Sequence, residues 1–397
     1  MKPKVCIDLG ASSTRITGQD SNIYELPNGL VFVDKSETID LEKSSVEQHD
    51  FDTFLNNMDI TIEKTTGQPD KAFPARAVIG PLANRYSDSV MKPSVLMNKS
   101  QQKINHFNII VATAMQAYLY GYDGAPLTLY LALPPLEVSS TTAEEINNSL
   151  TGNYHVSSAR LQWEVDINIV DIRIYAECYM ALAAFFFDFP SCTPNMERMK
   201  NYGKGYVLGI DIGASTSDLY ICENGKPIEK SGQTIKTGCN VIELDIANGI
   251  RQRYGFDPTS DILTIAIKEG RIPMGRGYVE IGDIVRKAKQ KFARAVVAEL
   301  QNYFRLVNIP LQYICGIVAA GGGSLKSFYL NDNGEEVVTC GCTSDFITTE
   351  LSNIVENMDV VAMEDPRTAN VRGLYVKMMM DCAMEAKAAR EAATSTN

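Results

Sequence analysis

A chain of 397 residues is too long for a single hydrophobic core and implies at least two domains. Hydrophobic residues make up 45% and charged residues 21%, the balance of a soluble globular protein. The formal net charge of −11 argues against direct, nonspecific binding to DNA or to anionic membrane, since both reward excess Lys and Arg, and leaves DNA reachable through a basic partner.

Nine cysteines are scattered along the chain, with Cys340-x-Cys342 as the close pair. With three histidines (His49, His106 and His155) no zinc set is completed, and reduced, mostly buried thiols in a cytosolic protein are expected. The first residues run directly into a strand-like segment with no apolar stretch of signal-peptide kind. The longest apolar run, 179–187, is too short to span a bilayer.

In chain order, residues 5–8 and 14–17 read as strands flanking a Gly/Ser turn. Residues 20 to about 90 mix short strands and turns and read as an insertion. Residues 101–120 carry helical spacing at Ile104, Phe107, Val111, Ala114 and Tyr118. A strand at 128–133 ends at Pro134-Pro135, a short helix follows at 143–150, and 160–174 is strand-rich before a helix at 175–187. Residues 190–204 hold Pro190, Pro194 and Gly203 and read as a linker. Strands at 206–211 and 218–222 then flank a second Gly/Ser turn, and Asn224-Gly225 signals a two-residue hairpin. Helices are expected at 240–254 and 280–304. An apolar strand at 313–320 runs into Gly321-Gly322-Gly323, and a helix is expected at 366–382. Residues 383–397 should continue as a solvated helix that frays.

One repeat organises these elements. Ile7-Asp8-Leu9-Gly10-Ala11-Ser12-Ser13 returns, half a chain later, as Ile210-Asp211-Ile212-Gly213-Ala214-Ser215-Thr216, identical at five of seven positions. Both copies read strand–turn–strand, whereas a Walker-type loop leads into a helix and carries Gly-Lys-Ser/Thr, which is absent here. A tight turn with Gly lets backbone N–H groups face an anion without a Cβ in the way, and Ser12, Ser13, Ser215 and Thr216 can donate to phosphate oxygens. Asp8 and Asp211 cannot bind phosphate directly, but can hold Mg²⁺ or its waters. A lone Asp-x-Gly is commonly an ordinary turn; the matched pair points to a nucleoside triphosphate gripped by two loops. Gly321-Gly322-Gly323-Ser324, after its strand, allows adenine or ribose close to the backbone.

Two phosphate loops followed by a Gly-rich loop resemble the actin, heat-shock-chaperone and sugar-kinase ATPase superfamily, over residues 5 to about 375. Asp365-Pro366-Arg367-Thr368-Ala369-Asn370-Val371-Arg372-Gly373-Leu374-Tyr375 is similar to the closing segment of ParM-like bacterial actins. The resemblance implies an α/β, actin-like fold of two duplicated RNase H-like domains, mixed β-sheets flanked by helices, each with an inserted subdomain and with a nucleotide cleft between them. Domain I would be 1–190, with its insertion at about 20–90. Domain II would be 191–382, with its insertion at about 240–310 and the adenosine loop at 320–324; helix 366–382 would pack back on domain I, and 383–397 would be a tail.

The same resemblance implies site residues. Asp8 and Asp211 would flank Mg²⁺, through water. Gly10, Ala11, Ser12, Ser13, Gly213, Ala214, Ser215 and Thr216 would cradle the phosphates, with Gly238 and Asn240 beside them. Gly321, Gly322, Gly323 and Ser324 would line the adenosine, and Lys268 and Glu269 would reach the nucleoside. The superfamily activates water with a Glu or Gln near a helix start between the two loops. Here the pattern departs, and Asp171, then Glu177, are the candidates, with Asp211 as a further catalytic carboxylate; a helix N-terminus also favours such carboxylates with no catalysis involved. The implied function is an ATP-dependent, ATP-hydrolysing filament in the bacterial cytoplasm that moves plasmid or phage DNA through a ParR-type DNA-binding adaptor, with no direct contact to nucleic acid or membrane. The loops read phosphate and not base, so GTP stays open beside ATP. The alternative is a small-molecule, sugar-type kinase of the same superfamily, although no sugar-pocket motif is present. A chaperone-like ATPase would need a substrate domain beyond the two lobes, and a membrane-tethered relative would need a basic amphipathic terminal helix.

Overall fold

The computed structural model describes residues 2–34, 55–67, 73, 75–83, 90–94, 97–158, 160, 162–355 and 358–395. Part of the expected insertion at 20–90, His49 included, lies outside them. The chain divides into two compact units: Met1–Ala176 with Phe189–Cys192 and Asn370–Asn397, and Glu177–Asp188 with Thr193–Ala369.

The first unit is built on a nine-stranded mixed sheet. Its strands are β1 (Lys4–Leu9), β2 (Ser13–Thr17), β3 (Ile23–Pro27), β4 (Leu30–Phe32), β5 (Asp59–Lys64), β6 (Ala75–Ile79), β7 (Pro126–Leu133), β8 (Gly152–Ser158) and β9 (Trp163–Ala176), in the order β3-β2-β1-β7-β9-β8-β5-β6-β4. β1 pairs antiparallel with β2 and parallel with β7, so it is buried along its whole length. Helix α1 (Lys103–Tyr120) places Ile104, Phe107, Val111 and Ala114 in the core that holds Val5, Ile7 and Leu9 of β1. It ends at Gly121, whose φ of 67° is the left-handed cap that glycine adopts freely. Helix α2 (Ser140–Leu150) starts where the Ser139 hydroxyl accepts the Thr142 N–H. Strand β9 runs on to Ala176, beyond the expected end, because Val170-Asp171-Ile172-Arg173-Ile174 keeps a period of two.

The second unit opens with α3 (Tyr179–Phe186), the two-residue strands β10 (Phe187–Asp188) and β11 (Thr193–Pro194), and α4 (Met196–Tyr202). Helix α4 stands where a linker was expected: the Asn195 side chain caps it by accepting the Arg198 N–H, and that signal outweighs the nearby Pro and Gly. The main sheet comprises β12 (Tyr206–Ile212), β13 (Ser217–Glu223), β14 (Lys226–Pro227) and β15 (Gln233–Ile235), and further along the chain β18 (Ile314–Ala320) and β21 (Val360–Ala362). Around β12 the arrangement repeats that around β1: antiparallel to β13, parallel to β18, which is parallel to β21. Between β15 and β18 come α5 (Asn240–Tyr254), α6 (Ser260–Glu269), the hairpin β16 (Arg271–Met274) and β17 (Gly277–Glu280), and α7 (Gly282–Val307). α7 buries Val285, Ala288, Phe292, Val296, Leu300 and Phe304, one stripe at helical spacing. A hairpin of β19 (Ser327–Leu330) and β20 (Glu336–Cys340) and helix α8 (Thr343–Ser352) separate β18 from β21.

The last helix, α9 (Ala369–Ser395), lies within the first unit from Asn370 onward. Successive strand residues face opposite ways, so Lys4 and Cys6 leave β1 on the side away from Val5 and Ile7. There the Lys4 ammonium meets Glu385 at 2.7 Å and the Cys6 thiol lies 3.7 Å from Met378. Arg173 of β9 bonds Asp381 at 2.8 Å, joined by the Tyr130 hydroxyl at 3.0 Å and by Lys377 at 2.6 Å. Burial works against the Asp381 charge, yet bonds from Lys377, Tyr130 and Arg173 hold its carboxyl below the usual range.

Candidate functional site

The first Gly/Ser turn is a hairpin between β1 and β2. The Gly10 N–H donates to the Ser13 carbonyl at 3.0 Å, leaving Ala11 and Ser12 as its exposed tip. Side chains brace it from behind. Asn28 donates to the Gly10 carbonyl at 2.5 Å, and its backbone N–H to the Ser12 carbonyl at 3.0 Å. Thr14 and, from α1, Asn108 bond the Asn28 amide in turn. The Ser13 side chain is buried: its hydroxyl donates to Glu25 and accepts from Arg15 at 3.2 Å, so the structure turns that hydroxyl into the brace and leaves Ser12 at the tip. Asp8, 4% exposed, pairs across the strands with Arg15, whose guanidinium reaches it at 3.4 Å.

The second turn repeats the geometry with different supports. The Gly213 N–H donates to the Thr216 carbonyl at 2.9 Å. Here the brace is the start of α5. The N–H groups of Cys239 and Asn240 donate to the carbonyls of Gly213 at 2.9 Å and Ala214 at 2.7 Å, and the Asn240 amide donates to the Ser215 hydroxyl at 2.8 Å. The partial positive charge of a helix N-terminus thus sits beside the loop, which favours an anion there. Gly238 lies flat on the loop: a Cβ at that position would fall 2.4 Å from the Ser215 carbonyl carbon and 2.5 Å from the Thr216 nitrogen.

The Gly-rich segment closes on the same strand end. A Cβ on Gly321 would lie 2.2 Å from an Asp211 carboxylate oxygen, and one on Gly323 would lie 2.3 Å from the Ile212 side chain. The Gly321 N–H donates to the Pro366 carbonyl at 2.8 Å, and the Thr343 hydroxyl donates to the Gly323 carbonyl at 2.5 Å. Within the second unit, then, Asp211, Gly213–Thr216, Gly238, Asn240 and Gly321–Gly323 are neighbours, whereas Ser324 is 1% exposed and gives its hydroxyl to the Ala320 carbonyl at 2.6 Å. Lys268 and Glu269 end α6; Glu269 pairs with Arg271 at 2.7 Å, and its carbonyl accepts the Thr339 hydroxyl.

The strand register distinguishes the two acids. Where Asp8 faces Arg15, Asp211 faces Asp218, and both carboxylates of the second pair are buried. Cross-strand partners share a face of the sheet, so the second pair sets two carboxyl groups together, one of them accepting the Thr234 hydroxyl, where the first sets an acid against a base. An all-oxygen donor set of this kind fits a hard cation such as Mg²⁺. Among the described residues no group of three or more His, Cys, Asp or Glu side chains gathers as a metal site. Asp211 and Asp218 are the residues that would hold it.

The two water-activating candidates separate. Asp171 lies within β9 and bonds Arg173 at 3.1 Å, in the first unit's network with Asp381, rather than at a helix start. Its strand position comes from the period-two pattern around it. Glu177 sits in the turn before α3, 4% exposed, and its carbonyl accepts the Met180 N–H at 2.9 Å. Its neighbour Cys178 lies against Gly209 and within electrostatic reach of Asp211: burial first, then Asp211 and Asp218, push that thiol well above its usual range. Glu177 is therefore the candidate within the second unit, one residue from a thiol that packs on the strand leading into the second turn. Sequence reasoning missed Asp218, Asn28 and the Pro366 carbonyl. The first could have been found by aligning the strands that follow the two turns, since Arg15 and Asp218 occupy matching positions.

Residues 209–327 match the family described as archaeal actin homologue MreB-like, C-terminal. No curated protein matches the chain. Among solved structures, actin-like protein Alp7A is similar at 19% identity and a TM-score of 0.69, covering 99% of this chain and 100% of that one. Bacillus thuringiensis ParM with ATP is similar at 16% identity and a TM-score of 0.62, covering 96% and 99%. A ParM of a 15-stranded filament from Clostridium botulinum is similar at 16% identity and a TM-score of 0.63, covering 95% and 98%. The hairpin–parallel–parallel sheet, built twice, and these full-length similarities agree: the chain has the actin-like fold shared by Alp7A and the ParM proteins.

Proposed function

We propose that this protein binds and hydrolyses ATP with Mg²⁺ and, in its ATP state, polymerises into a filament that positions DNA through a separate DNA-binding adaptor in the bacterial cytoplasm. The observation that carries the reading is the pair of matched turns, each closed by a Gly N–H to a Ser or Thr carbonyl at the end of a central buried strand. Ala11–Ser12 and Ala214–Ser215 present backbone amides to phosphate oxygens. Asp211, with Asp218 behind it, would hold Mg²⁺, which supplies charge neutralisation on the phosphates when bound. The α5 N-terminus adds its field at the second loop, and Gly321–Ser324 takes the nucleoside. Glu177 orients and deprotonates the attacking water, a role worth about 10²–10⁴ in rate.

The similar structures support each half of this: one ParM holds ATP and another forms a filament. The test is direct. Purified protein is mixed with ATP and Mg²⁺, and light scattering, pelleting and phosphate release are followed together. ATP-dependent polymer that decays as phosphate appears is the expected result. Phosphate release with no polymer at any concentration overturns the filament reading and moves the protein toward a kinase-type or chaperone-type ATPase.

A further inference from the structure

Among the described residues Lys289 makes no ion pair, although the Asp345 carboxylate is within electrostatic reach. Lys289 lies on α7 at 3% exposure, inside the second unit. A buried ammonium is costly unless its three donors are satisfied, and here they are. Its Nζ donates to the Leu325 carbonyl at 3.0 Å, the Gly341 carbonyl at 2.9 Å and the Ser327 hydroxyl at 3.2 Å.

The partners matter more than their number. Leu325 directly follows Gly321–Ser324. Gly341 precedes α8, whose first residue, Thr343, bonds the Gly323 carbonyl at 2.5 Å. The Ser327 hydroxyl, while accepting from Lys289, donates to the Ile267 carbonyl at 2.6 Å, one residue before Lys268 and Glu269. One ammonium therefore ties together the Gly-rich loop, the start of α8 and the end of α6. These are the two segments assigned to the nucleoside, Gly321–Ser324 and Lys268–Glu269, together with the element that holds one of them.

We infer that Lys289 is a positioning residue for nucleoside recognition: from within the protein it fixes the spacing between the Gly-rich loop and the end of α6, and so sets affinity for the base and ribose while leaving the phosphates untouched. The inference rests on the ATP-binding reading. Among the described residues Lys289 makes no bond to the Gly213–Thr216 loop, which takes its support from α5. Loss of Lys289 should therefore separate nucleoside from phosphate binding.

The experiment compares ATP with inorganic tripolyphosphate, each with Mg²⁺, by calorimetric titration of the full chain. Lys289→Met keeps the length and removes the charge and all three donors. Its affinity for ATP should fall by about tenfold or more, at least about 1.4 kcal/mol, while tripolyphosphate affinity stays within about twofold. Ser327→Ala removes one partner and the bond to Ile267, and should shift ATP alone in the same direction by a smaller factor. It also decides the matter if Lys289→Met fails to fold. Equal losses for both ligands, or no loss for ATP in Ser327→Ala, overturn the positioning role. Wild-type protein that binds neither ligand overturns the ATP reading itself, a distinguishable result.

Discussion

The sharpest consequence of the geometry concerns Gly238. Replacing it with Ala adds one methyl group, placed 2.4 Å from the Ser215 carbonyl carbon, 2.5 Å from the Thr216 nitrogen and 2.6 Å from the Ala214 oxygen. Ordinary carbon contacts begin near 3.5 Å, so the shortfall is about 1 Å against three backbone atoms at once. None of the three belongs to a flexible side chain that could swing aside. Either α5 retreats from the loop or the loop itself moves. Retreat breaks the bonds from Cys239 and Asn240 that brace it. Overpacking of this kind typically costs about 1–3 kcal/mol. If the strain is relieved by moving the loop, it appears as lost affinity, on the order of 10- to 100-fold.

The assay is titration of a fluorescent ATP analogue with Mg²⁺, run beside thermal unfolding. Gly277→Ala is the control, because nothing lies within 4 Å of its added Cβ and its φ is not positive. Gly238→Ala should lose affinity and some stability, while Gly277→Ala should bind like wild type. A Gly238→Ala protein with wild-type affinity and unchanged melting would refute the claim that this glycine seats the phosphate loop.

Asp211→Asn should reduce hydrolysis by at least about 10²-fold, with the far-UV circular dichroism unchanged, since it removes a carboxylate charge that would hold the cation on the phosphates; a fully active variant would place the cation elsewhere. Glu177→Gln should slow phosphate release by about 10²–10⁴ while fluorescent-nucleotide affinity is kept, and Asp171→Asn should slow it far less; the reverse order would return the catalytic role to Asp171. Arg173→Met should destabilise the first unit by about 1–3 kcal/mol, because the buried Asp381 carboxylate loses a charged partner, read as a lower urea midpoint. The carboxyls of Asp381 and Glu385 are held below their usual values, the first by Lys377, Tyr130 and Arg173 against the effect of burial, the second chiefly by Lys4. Their stabilisation is fully present above the unfolded carboxylate range and is lost as pH falls below about 4. Arg173→Met should flatten that acid limb in a pH series of unfolding midpoints; an unchanged limb would remove these carboxylates from the account.

Much of the scaffold was legible because local signals agreed with it. The two turns carried Gly and small hydroxyl residues between apolar strands, and Asn224-Gly225 adopts the positive φ values, 52° and 75°, that its sequence announced. Helices at 103–120, 240–254 and 282–307 followed their apolar spacing. What escaped was set by partners distant in sequence. The resemblance puts Asp171 near a helix start, yet the apolar run 178–187 does not reveal where the preceding buried strand hands over to a buried helix. Ser13 carries the same hydroxyl as Ser12, yet Glu25 and Arg15 claim it, and neither is visible from the motif. Lys289 sits among Arg286, Lys287 and Lys291 and reads as one more solvated charge, until α7 turns it toward the carbonyls of Leu325 and Gly341.

The duplicated turn, finally, has been supported by opposite means, and this bears on which changes each copy tolerates. In the first unit the brace is polar and side-chain based: Asn28, Thr14, Asn108, Arg15 and Glu25. Such a network is strong when complete and fails piecewise, since each lost bond strands a buried partner. In the second unit the brace is chiefly backbone and steric, with one side-chain bond from Asn240 to Ser215: helix amides on loop carbonyls, and glycines at 238, 321 and 323 with no room for a Cβ. Side-chain changes around it matter less, and any added atom at those glycines matters more. The charges diverge in parallel, with Arg15 neutralising Asp8 and Asp218 reinforcing Asp211. The same seven-residue motif therefore builds one turn whose acid faces a base and one whose acid faces a second acid, and in the proposed reading the metal dependence follows Asp211 more than Asp8.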